Sequence, residues 1–217
     1  MAEGGTSKGL DRLMTLTDGL FAIAITILVL DLRVPADIAP RELSAHITDL
    51  VPEFISYAIS FAVIAIYWQA QREVFDDIER HDAVLTWMTF AFLMAIAFLP
   101  FPTLLIGKFF TQQISVVFYA ADAAVARLLL VGISSYARHG HRLVPEDVDD
   151  ERGRLRTAQG LAVPVVFLAS IAISFWSPRA ALYSWLLLVV TDPAVAWAWR
   201  RARAPATASL DAHHISA

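Results

Sequence analysis

The sequence predicts an all-α integral membrane protein with six spanning helices. Three observations carry that expectation. Of the 217 residues, 57% are hydrophobic and only 18% charged, against about 45–50% and about 25% in an average soluble domain. The excess makes the mean hydropathy +0.56. The apolar residues also gather into runs of about 20, the length that crosses a hydrocarbon core of about 30 Å. Finally, most of the basic residues fall in the connections on one side of that frame.

The first run follows a polar segment, 1–11. It is too long for the apolar region of a signal peptide, and no pair of small residues closes it in the manner of a cleavage site. It is therefore expected to remain as a spanning helix over 13–32, with Pro35 and Pro40 beyond it. The second and third runs cover 52–70 and 84–106, the third containing "LPFPT" near one end. Prolines there free backbone carbonyls that neighbouring helices must satisfy. The fourth run covers 114–136, and the long polar stretch "RHGHRLVPEDVDDERGRLR" leads to the fifth, 158–176. A short "SPR" turn then makes the fifth and sixth runs, 158–176 and 180–199, a tight hairpin. The Ala-rich tail, 201–217, lacks large apolar residues and is expected to be disordered.

Counting Lys and Arg in the connections places twelve on the side of the two termini and four opposite, with Arg127 inside the fourth run. Positive residues favour the cytoplasmic side, so both termini are expected there. Trp68, Trp197 and Trp199 at the cytoplasmic ends and Trp176 at an outer end fit an interfacial belt. No internal repeat is visible, which weighs against a transporter built from inverted halves.

Ionisable residues inside a span cost at least about 2.5–3.5 kcal/mol at the bilayer centre, so Asp122, Arg127 and Asp192 each need a reason. Either Arg127 pairs with one of the two aspartates across helices, or the three mark an ion or proton path. In the first run, Arg12 and Asp18 are six positions apart and point about 120° away from each other. They are not an i,i+4 pair. Asp18 then either meets the dipole of its own helix start or finds a partner elsewhere, on another helix, another subunit or a backbone amide. Beyond it, Gly19, Ile23, Thr26, Ile27 and Leu30 share a sector of about 100°, in which only Thr26 is polar. Such a face either packs dry against a neighbour or lines a narrow path.

Enzyme chemistry finds no footing. The chain has no cysteine, so thiolate catalysis and thiolate metal sites are excluded. His139 and His141 lie in a loop and His213 and His214 in the tail, without a third ligand at metal spacing. No G-x-S-x-G, H-E-x-x-H or P-loop occurs, and the filter motif TVGYG is absent. No cofactor, resident metal or nucleic-acid partner is expected.

The stretch "RLMTLTDGLFAIAITILVLDL" resembles the first-helix signature of the transmembrane protein 175 family, potassium channels of endolysosomes with shorter prokaryotic relatives. Its pattern, R-x-x-x-F-S-D followed by a G-x-F-A-I-A-x-T-L-like run, is matched at Arg12, Asp18, Gly19, Phe21, Ala22, Ile23, Ala24 and Thr26. Leu16 and Thr17 stand where the family usually has Phe and Ser. "YWQAQREVF" is similar to the end of the family's second helix, with Gln71 and Arg72 in place of two histidines, and "FLPFPTLLIGKF" is similar to the end of its third.

The resemblance implies a homotetramer of six-helix subunits, one six-helix unit per chain over 12–200, with the first helices around a central pore. It implies a potassium-permeable channel in a prokaryotic plasma membrane, passing K⁺ and other monovalent cations down their gradient with modest preference over Na⁺. Ile23 then matches the hydrophobic constriction, continued by Ile27 and Leu30, and Thr26 the threonine assigned to cation preference. Arg12, Leu16, Thr17 and Asp18 match the motif that holds helices together near the cytoplasmic mouth. Two other readings stay open: a proton-coupled secondary transporter using Asp122, Arg127 and Asp192, and a scaffold that binds partners through the polar loop 138–156.

Overall fold

In the computed structural model, residues 3–33, 38–145 and 150–188 are described, and every regular element among them is helical. The elements are α1 (Glu3–Ile27, continued by a 3-10 turn Leu28–Asp31), α2 (Leu43–Asp49), α3 (Val51–Phe75), α4 (Ala83–Phe98), α5 (Pro100–Phe109), α6 (Gln113–Arg138), α7 (Asp150–Ser174) and α8 (Pro178–Ser184). Among the described residues, five stretches are long and apolar enough to span a bilayer: Lys8–Leu30, Val51–Phe75, Ala83–Phe109, Gln113–His141 and Leu155–Ser174. Of the expected sixth span, α8 and the 3-10 turn Trp185–Leu187 are described; 189–199, Asp192 and the tail 201–217 lie outside the described residues.

Local chemistry explains where these helices start and stop. Asp82 has extended backbone and its side chain accepts the Leu85 amide, which caps α4. α4 and α5 are one span broken at Pro100, whose missing amide hydrogen leaves the Ile96 carbonyl to a tighter bond from Leu99 at 3.3 Å. Thr103 restores order on the far side: its amide and its hydroxyl both reach the Leu99 carbonyl, at 3.2 and 2.8 Å. Ser177 caps α8, with Pro178 in the first turn, and this closes the short α7–α8 connection.

The bundle is centred on α6, which packs on α4, α5 and α7. Its Ala120, Ala123, Ala124 and Ala126 are buried, and small side chains let neighbouring backbones approach where lipid supplies no hydrophobic drive between helices. An aromatic cluster fills the α6–α7–α8 junction, with Tyr119 stacked on Trp185 at 4.8 Å and Phe167 edge-on to the same indole at 5.5 Å. Several polar groups inside the bundle are paired. Tyr67 donates to the Ala123 carbonyl at 2.6 Å, and Ser56 to that of Thr103 at 3.1 Å.

One end of the bundle is tied by ion pairs between its connections. Asp77 accepts from Arg138 and, at 2.7 Å, from Arg156, so one carboxylate joins the end of α3 to α6 and α7. Asp82 accepts from Tyr136 at 2.6 Å and has Arg142 at 3.4 Å. Burial alone raises the Asp82 pKa, but the Leu85 amide, the Tyr136 hydroxyl and Arg142 outweigh it and hold the carboxyl below its ordinary value. The amides of Glu79 and Arg80 both donate to Leu143, carrying this loop onto the buried Leu143 and Val144. At the same end α1 begins ten residues before its first buried leucine, Leu13, and Gly9 lies so close to His81 that an added Cβ would collide with the imidazole.

Candidate functional site

α1 has two faces of opposite fate. Leu13, Thr17, Phe21, Ala24 and Leu28 are buried, at steps of four or three residues, and carry the helix onto α3 and α4. Phe21 meets Phe92 of α4 with ring centroids 6.0 Å apart. On the other side, Arg12, Leu16, Gly19, Ile23, Thr26 and Leu30 alternate steps of four and three and are all exposed. Leu16 is 49% exposed, Ile23 59%, Ile27 43% and Leu30 59%. That is the 3.5-residue period by which helices pack along a shared seam. No atom from elsewhere in the subunit lies within 4 Å of where a Gly19 Cβ would stand, so this face has room for close approach from outside the subunit.

The one polar side chain in the apolar part of that face is already engaged. Thr26 Oγ1 donates to the Ile23 carbonyl at 2.9 Å. Its proton is thereby directed into the helix, and its lone pairs are left to accept. Thr17 behaves likewise but is buried, donating to the Leu13 carbonyl at 2.8 Å, so it belongs to the packing face.

Asp18 sits where the two faces meet. Its Oδ1 accepts from Trp68 Nε1 of α3 at 2.8 Å. The guanidinium carbon of Arg72 stands 5.8 Å from the Trp68 ring centroid, within reach of a cation–π contact. The adjacent Gln71 is fully buried and donates to Met14 Sδ at 3.7 Å. The helix-start reading of Asp18 is overturned: α1 begins at Glu3, so Asp18 is mid-helix, and the dipole effect fades within the first turn. Nothing in the sequence marked Trp68 as the donor except its place in "YWQAQREVF", a signal about helix ends rather than partners.

Of the intramembrane charges, Asp122 and Arg127 do not pair. Arg127 forms no ion pair with Asp122; its Nε donates to the Gly160 carbonyl at 3.3 Å instead. The aspartate pairing therefore fails for Asp122. Its Oδ2 is buried without a hydrogen-bond partner among the described residues, and Asp192 lies outside them. No group of three His, Asp or Glu poised for a metal occurs among the described residues.

Known proteins resemble this chain in sequence and in fold. The family model described as "Endosomal/lysosomal potassium channel TMEM175" matches residues 12–100, which hold α1 from Arg12 onward, α2, α3, α4 and the first residue of α5. A protein named as a potassium channel from Chamaesiphon minutus is 27% identical over 82% of this chain and 90% of its own length. Another so named, from Streptomyces collinus, is 35% identical over 47% of this chain and 50% of its own. The solved TMEM175 homologue of Chamaesiphon minutus, described as a lysosomal potassium-selective channel homologue, superposes with a TM-score of 0.75 at 23% identity, covering 87% of this chain and 98% of that one. Its fold is shared across nearly its whole length, and the relatives that carry the likeness are named for ion conduction rather than for catalysis. Over residues 12–100 this chain is similar to the TMEM175 family, and its helical architecture is shared with a solved TMEM175 homologue.

Proposed function

We propose that the chain is one subunit of a potassium-permeable channel, in which four copies turn the exposed face of α1 toward a common axis. One observation carries this reading: the seam Leu16–Gly19–Ile23–Thr26–Leu30 is neutral, regular and uncovered, while the opposite stripe of the same helix is fully packed. A lipid-facing helix has no need of the glycine and threonine, or of alternating spacing; a helix that meets its own copies has need of both. The names of the bacterial relatives support potassium as the ion.

In this reading rings of Ile23, Ile27 and Leu30 form the constriction. A narrow apolar ring excludes water, and an ion crossing it sheds part of its hydration shell. K⁺ holds that shell less tightly than Na⁺, so a neutral ring penalises Na⁺ more. Thr26, its proton committed to Ile23, offers four acceptor oxygens beside the tightest ring. Selectivity is modest because no cage of carbonyls replaces the lost water. Arg12, Leu16, Thr17 and Asp18 set the position of α1 and do not coordinate the ion. The excess of basic residues on the side of the termini supports a plasma-membrane orientation with both ends cytoplasmic.

Liposome flux tests the proposal. Ile23→Asn wets the ring and raises basal K⁺ leak at least several-fold over wild type, in protein shown to be tetrameric. An unchanged leak in such tetramers removes the constriction from Ile23. K⁺ flux exceeds Na⁺ flux in wild type, and the ratio falls in Thr26→Val; equal wild-type fluxes remove the selectivity claim. The proton-coupled alternative finds no support in the arrangement of Asp122 and Arg127.

A further inference from the structure

Arg127 lies near the middle of α6, where a guanidinium is expensive and demands a partner. That partner is a backbone carbonyl on α7, and its identity is informative. α7 contains Pro164 in its apolar stretch. A proline has no amide hydrogen, so the carbonyl four residues earlier loses its helical donor. Four residues before Pro164 is Gly160, the residue whose carbonyl accepts from Arg127 Nε at 3.3 Å. Gly160 also permits the approach: a Cβ there would stand 2.8 Å from Val131 Cγ2 and 3.7 Å from Arg127 Nη2. Gly160 is buried between the helices, so water has little access to the freed carbonyl.

We propose that Arg127 is a surrogate backbone donor, in which the α6 guanidinium takes the place of the hydrogen that Pro164 removes from α7. An unsatisfied carbonyl in hydrocarbon costs several kcal/mol, comparable with the insertion cost of the arginine, so the two liabilities offset each other. The pairing accounts for a cation at this depth without assigning it to ion or proton traffic. It is independent of the pore proposal, because α1 packs on α3 and α4 while Arg127 serves the α6–α7 joint.

The inference predicts a specific coupling. In the purified full chain, Arg127→Leu lowers the thermal midpoint on the order of 5 °C by leaving Gly160 unsatisfied. Pro164→Ala supplies an amide that closes the Gly160 carbonyl within α7, so in that background the loss caused by Arg127→Leu shrinks to less than half. An equal loss in both backgrounds overturns the proposal. If Arg127→Leu yields no folded protein, the double variant decides: recovery of folded oligomer is expected, and a second failure overturns the idea. Cation flux gives an independent readout. The double variant conducts as Pro164→Ala does; a folded double variant that has lost flux relative to Pro164→Ala assigns Arg127 to conduction and also overturns the proposal.

Discussion

Asp18 is held by an indole rather than by a base. Trp68 is its donor, and Arg72 lies against the indole instead of against the carboxylate. Trp68→Phe keeps the ring and removes the N–H, which costs about 1–3 kcal/mol through the loss of a bond to a charged acceptor. The expected result is a lower oligomer yield by gel filtration, matched by Asp18→Ala; an unchanged yield in both variants removes this contact from assembly. The sequence made part of this legible. Angular spacing alone separated Arg12 from Asp18, because the helical period is a local property. The donor was not legible, because which helix lies beside α1 depends on packing that no single segment records. Arg127 shows the same boundary from the other side. Its depth was readable from the run of apolar residues around it, and Pro164 was readable too, but the link between them passes between helices. An electrostatic reading offered the aspartates as partners, and the structure supplied a carbonyl.

At the scale of elements, apolar length and proline placement carried most of the information. The spans that form α1, α3, α4–α5, α6 and α7 were visible as hydrophobic runs, but the third was read as one span, 84–106, and the break at Pro100 was not drawn. The start of α7 was not visible, since Asp150 to Arg156 is polar and helical at once; a search for apolar runs passes over a turn that extends beyond the bilayer. The cap of α4 is the element-level feature most open to test. Asp82→Ala removes both the cap and the acceptor for Tyr136, at a cost of about 1 kcal/mol for the cap alone. Its pH signature has a definite sign. The folded pKa lies below the unfolded one, so the stability that Asp82 contributes is complete above the ordinary carboxylate range and is lost as the pH falls through the lowered value. Acid melts of wild type and Asp82→Asn are expected to converge at low pH and to differ above it; parallel curves would show that the carboxylate adds nothing.

At the scale of the whole molecule, the absence of cysteine makes the proposed axis directly testable. A single Ile23→Cys is expected to give disulfide-linked dimers on mild oxidation and to reduce cation flux as it does so, since the proposed assembly brings copies of this side chain together near the axis. Val165→Cys on α7, 63% exposed, serves as the comparison and is expected to stay monomeric on a denaturing gel. Linkage at Val165 with none at Ile23 would place the shared surface on the other flank of the subunit. The α1 face itself was readable as a neutral stripe, yet its orientation was not, because dry packing and a lumen select the same small and apolar residues. α1 is also unbroken from Glu3 to Ile27, a rod of about 37 Å, braced near its beginning by the close fit of Gly9 to His81. A stiff shaft of that kind transmits torque and displacement from its free end to its middle. Anything that grips the first turns of α1, whether a tag, a binding protein or a charged surface, therefore has mechanical leverage on the ring proposed at Ile23.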